Sequence, residues 1–118
     1  MNTAQARSII DTVARRVIAQ LDAVPAEKRD EWHLPTLAEA SLGLDDWSAV
    51  EAALKSYIAD DKAQAFQIAS TLRQFTQVWD IEQIDDRGSA LAEILRARLL
   101  ALSSGELTLS PAALHQTE

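Results

Sequence analysis

Apolar residues recur at three- and four-residue steps along most of this chain, the period of helices packed on one face. The first run is Ile9, Ile10, Val13, Val17, Ile18 and Leu21, with Arg7, Asp11, Arg15 and Gln20 on the polar face. Thr3 is its expected cap. Val24-Pro25 is its expected end, because a residue before proline is pushed out of the helical region. Pro25 then opens a short turn through Arg29. A second helix is expected over residues 30–42, capped by Asp30, with Pro35 about a turn in. Leu34, Leu37, Ala38, Ser41 and Leu42 form its packed face, and Gly43 stops it. Asp45 or Asp46 caps a third helix, where Trp47, Val50, Leu54, Tyr57 and Ile58 keep the period. Asp60-Asp61 closes that helix and caps a fourth over residues 62–78. Phe66, Ala69, Leu72, Phe75 and Trp79 share one of its faces. Residues 80–88 read as a polar connector and 89–102 as a fifth, most apolar helix.

The pattern then changes. Ser103-Ser104-Gly105 reads as a breaker, and Glu106 to Ser110 alternates like a short strand. Ser110-Pro111 has the chemistry of a helix start, but only a few residues follow it. No strand has an evident mate. The expected fold is all-α, with four or five antiparallel helices and short links over residues 1–102. Residues 103–118 form a short extended tail, truncated or bound to a partner.

Composition narrows the class. The 118 residues suit one domain, and an apolar fraction of 47% with 25% charged residues is that of a folded globule. There is no cysteine, so neither a disulfide framework nor a Cys-based zinc site can form. Eleven basic residues face eighteen acidic ones, for a net charge of -7. That balance argues against nucleic acid as a partner, since phosphate-backbone binding needs clustered Lys and Arg. Arg7, Asp11, Arg15 and Arg16 interrupt any secretory signal at the N-terminus. The longest apolar stretch, 90–102, is broken by Glu93, Arg96 and Arg98, so it suits no membrane span, which needs about 20 apolar residues. A cytoplasmic protein is expected.

The inventory offers little for catalysis. His33 and His115 stand alone, without the His-x-x-x-His or Glu-x-x-His spacing of metal sites. Asp45-Asp46, Asp60-Asp61 and Asp85-Asp86 fall at helix ends, where carboxylates satisfy free N–H groups and the helix dipole. None has the spacing of a calcium loop. Gly-rich phosphate loops and nucleophile elbows are also missing from the sequence. No catalytic, cofactor-binding or metal-binding residue is expected, and no cofactor. Trp32, Trp47 and Trp79 lie in or beside apolar faces. Packing between helices accounts for them, and an interface anchor is the alternative. The fifth helix, with Leu91, Ile94, Leu95, Leu99, Leu100 and Leu102, is too widely apolar for one contact. It is sandwiched within the fold or docks another chain.

Two resemblances bear on this pattern. Residues 32–61 resemble one tetratricopeptide unit: Leu37-Ala38 fit its first helix, and Leu44-Asp45-Asp46-Trp47 its turn, with Asp in place of Gly. Val50 and Tyr57 fall at its small positions, and no second repeat follows at the 34-residue period. A longer resemblance runs over about residues 5–110. Trp32, Thr36-Leu-Ala-Glu-Ala40, the acidic turn with Trp47, Ala69-Ser-Thr-Leu-Arg-Gln74 and Trp79 are similar to the TRAF-binding-domain family. This is the tetratricopeptide-like helical region of apoptosis-signalling kinases and of bacterial effector-associated proteins. The run from Arg87-Gly88 through Arg96-Ala-Arg98 to Ser110 is similar to the segment after those helices. The resemblance implies a tetratricopeptide-like helical interaction module without catalysis. It also implies a protein partner, such as a protease-like, caspase-like or TIR effector.

The functional expectation is therefore an adaptor or scaffold. Trp32, Thr36, Glu39, Arg73, Gln74, Trp79, Leu91, Leu95 and Leu99 form its expected partner-binding set. The fifth helix and the tail are the preferred interface. An Arg73–Glu39 salt bridge within the fold is the competing role for two of these residues. A homodimer paired through fifth helices, or a fragment of a larger effector protein, are the alternatives.

Overall fold

A computed structural model describes residues 2–60 and 63–109, and every regular element among them is helical. The chain divides into two compact units, Met1–Asp60 and Asp61–Glu118.

The first unit holds α1 (Thr3–Asp22), a 3-10 turn at Ala26–Lys28, α2 (His33–Gly43) and α3 (Trp47–Ile58). Asn2, one residue before the expected cap, starts α1. Its Oδ1 accepts the Gln5 N–H at 2.8 Å, while its own N–H donates to Gln5 Oε1 at 2.9 Å. This reciprocal box satisfies two free donors at once. The second helix begins three residues later than expected. Asp30 instead folds an Asx turn, its Oδ1 accepting the Trp32 N–H at 3.0 Å. Pro35 becomes the third helical residue, where its missing N–H costs no intrahelical bond.

Gly43 does not stop α2; it is the last helical residue, and the reversal comes at Asp45, with φ of 59°. The Asp46 N–H reaches Ser41 O at 3.0 Å and the Asp45 N–H reaches Leu42 O at 2.9 Å. These are the two bonds of a Schellman motif with Asp at the left-handed position usually held by Gly. Asp46 then caps α3, its Oδ1 accepting the Ala49 N–H. Trp47 is buried, with its Nε1–H donating to Asp45 Oδ1 at 2.9 Å. α2 packs against both α1 and α3. Ala38, Leu42, Trp47, Val50, Leu54 and Tyr57 are buried there.

The second unit holds α4 (Ala65–Arg73), a π-helical segment at Gln74–Val78, α5 (Ile81–Ile84) and α6 (Asp86–Leu109). Several expectations are corrected here. The fourth helix starts at Ala65, not at 62, and its last turn is π-wound. Its inward face is Gln67, Ile68, Thr71 and Phe75, whereas Phe66 is exposed. Polar Gln67 is admitted to that face because its Oε1 accepts the Gln64 N–H at 2.8 Å. The connector contains α5, whose Ile81 is fully buried. The fifth expected helix is α6. It starts at Asp86 and continues helically through Ser103-Ser104-Gly105 to Leu109, so the strand expected from Glu106 is absent over 106–109. Backbone hydrogen bonding within one helix wins over alternation that has no partner strand. Asp61 and the Ser110-Pro111 start lie outside the described residues.

α6 packs against α4 and α5, and Leu91, Ala92 and Leu95 are buried. Gly88 lies in the first turn of α6, where a Cβ would overlap the carbonyl oxygen of Ile81.

Candidate interaction surface

Charged side chains in the second unit do structural work. Asp85 caps α6: its Oδ1 accepts the Arg87 N–H at 2.8 Å and the Arg87 Nε–H at 2.9 Å. The hydrogen bonds from the Arg87 side chain, and then from its backbone, draw the Asp85 carboxyl down to about 2. Arg96 on α6 reaches Glu82 on α5 at 2.8 and 3.2 Å and Glu93 at 3.2 Å. The Arg96 hydrogen bond holds Glu82 below the ordinary carboxylate range, and the pairing raises Arg96 in return. Each of these shifts comes from an arginine–carboxylate pair within or between adjacent elements. Among the described residues no group of three or more His, Asp or Glu could hold a metal ion. No described helix is long and apolar enough to cross a membrane.

The notable surface is on α1. This helix has twenty residues, about 30 Å of length, and packs on the eleven-residue α2, about 16 Å long. Ala14 is its one buried residue, and Val17, Ile18 and Leu21 are half-buried. Nearer the N-terminus the apolar stripe goes on without cover. Ile9 is 50% exposed, Ile10 44% and Val13 52%. At 100° per residue, Ala6, Ile9, Ile10, Val13 and Val17 lie within an arc of about 100°. Arg16 sits about 20° beyond one margin of that arc and Arg7 about 60° beyond the other. Among the described residues neither arginine forms an ion pair. Arg15 is spent differently, its Nε–H donating to Asp11 at 3.1 Å on the polar face.

The expected partner-binding residues fall in both units. Trp32 is the N-cap residue of α2, and Thr36 and Glu39 follow it at i+4 and i+7. Trp32 is 40% exposed there, and its carbonyl accepts the Thr36 N–H at 3.0 Å. Glu39 is on α2 of the first unit and Arg73 on α4 of the second. Gln74 opens the π-helical segment, and its carbonyl accepts the Trp79 N–H at 3.2 Å. Leu99 is half-buried on α6. Leu91 and Leu95 are corrected: at 3% and 0% exposure they are core residues, whereas Leu100 on the same helix is 67% exposed. The α1 stripe was assigned by periodicity to a core. One signal in the sequence marks it otherwise: the arginines Arg7 and Arg16 on either side of it.

Comparison of the chain with family models, curated proteins and solved structures finds no match.

Proposed function

We propose that this chain is a non-catalytic protein-interaction module, an adaptor or scaffold. The observation that carries the reading is the uncovered apolar row Ile9, Ile10 and Val13 on α1. Contiguous exposed apolar surface rimmed by polar residues marks interaction sites. Trp32 adds an exposed aromatic of the type enriched in interface anchors. The resemblance of about residues 5–110 to the TRAF-binding-domain family supports the same reading. It extends the proposal to a cytoplasmic bacterial signalling or conflict system with a protease-like, caspase-like or TIR effector as partner.

The test is affinity capture by the tagged full chain, compared with an Ile9→Asp/Ile10→Asp/Val13→Asp variant. The variant keeps wild-type helicity, because these side chains are not buried, and loses the captured partner. Capture unchanged by the triple substitution removes α1 from the interface and leaves the adaptor reading without its main support.

A further inference from the structure

We infer that the α1 stripe receives an acidic amphipathic helix from a different protein. This inference rests on the interaction-module reading and adds the chemistry of the occupant. The α1 segment runs against the acidic balance of the chain. It carries three arginines against two aspartates, while the remainder carries eight basic residues against sixteen acidic ones. Two of those arginines, Arg7 and Arg16, lie on opposite sides of the uncovered stripe, and neither is engaged in an ion pair among the described residues. The helix's carboxylates, Asp11 and Asp22, lie away from the stripe, and Asp11 is held by Arg15. The face therefore offers an apolar row with an arginine on each side and no acid between them. A helix with apolar residues at i, i+3, i+4 and i+7 and Glu or Asp at both margins matches it: the row supplies affinity, and the guanidiniums select and orient the ligand.

Two other occupants fit less well. A second copy paired through this same face would bring Arg7 and Arg16 of both chains to one interface with no carboxylate in the stripe. An anionic membrane attracts helices whose polar face is rich in Lys and Arg, whereas this polar face carries Asp11 and Asp22 within a chain of net charge -7.

A display library of 18-residue amphipathic helices tests the inference. The apolar face is fixed, and the margin positions are randomised among Glu, Gln and Lys. Selection is made on the immobilised full chain and, in parallel, on an Arg7→Glu/Arg16→Glu variant. The expected result is enrichment of Glu at both margins, with the Glu-margined peptide binding about tenfold tighter than its Lys counterpart at low salt. That preference inverts on the charge-reversed variant, and amide shifts of the labelled chain cluster over residues 6–17. Equal binding of Glu, Gln and Lys peptides with the same shift map overturns the acidic assignment and leaves the interaction reading standing. Shifts that avoid α1 overturn both. Sedimentation as a dimer that Ile10→Asp disrupts makes a second copy the occupant and overturns the inference. So does flotation with phosphatidylserine vesicles that is lost on charge reversal.

Discussion

Asp45 shows how a single residue ends one helix and anchors the next. Its left-handed backbone completes the Schellman turn after α2, and its carboxylate receives the buried Trp47 indole. The sequence points to Gly43 as the stop, because glycine is the usual left-handed residue. Asp takes that role here since its short side chain tolerates the conformation and finds a donor two residues on. The glycine that is indispensable is Gly88, for closeness rather than conformation. Gly88→Ala forces α5 off the first turn of α6 and is expected to cost about 1–3 kcal/mol, the range of overpacking. Denaturant melts of the variant measure it, and an unchanged midpoint contradicts the close approach. Asp85 gives a pH signature. Its carboxyl titrates at about 2 when folded, against an ordinary value of 3.8. The contribution is complete above 3.8 and fades as pH falls through about 2. Asp85→Asn keeps the cap acceptor and removes the charge. Its melting temperature should therefore lie below wild type at neutral pH, with the gap closing toward pH 2 and in high salt.

At the scale of elements, helix existence was legible and facing was less so. The periodic runs mark α1, α2, α3 and α6 because long amphipathic patterns outweigh local propensity. α4 reads rotated because its inward row includes Gln67 and Thr71, whose polarity hides them from a hydropathy pattern. The π-helical turn then shifts the register between Phe75 and Trp79. α5 escapes because four residues with two isoleucines carry too little period to stand out. The apolar breadth of α6 was read as a docking face, yet its two neighbours cover Leu91 and Leu95. Leu95→Ala is accordingly expected to destabilise the second unit by about 2–5 kcal/mol through lost burial and the cavity it leaves. Amide exchange of α4 and α6 should accelerate together. Wild-type exchange in that variant would place Leu95 at the surface after all.

Over the whole molecule, an acidic chain holds the uncovered apolar row of α1 on a helix of net positive charge. Composition gave the net charge and hid this asymmetry, since a total cannot say where eleven basic residues lie. Nor could periodicity alone separate a stripe that faces a core from one that faces solvent. Deciding between them needs the length of the neighbouring helix, a tertiary quantity. The most direct measurement is solvent paramagnetic relaxation on the methyl-labelled full chain. In the free protein, the methyls of Ile9, Ile10 and Val13 should broaden strongly, while those of Val50, Leu54, Ile68 and Leu95 stay sharp. Addition of the selected Glu-margined peptide should then protect the α1 methyls alone. Methyls of Ile9, Ile10 and Val13 already protected in the free monomer would contradict the account, because the row would have no room for a partner.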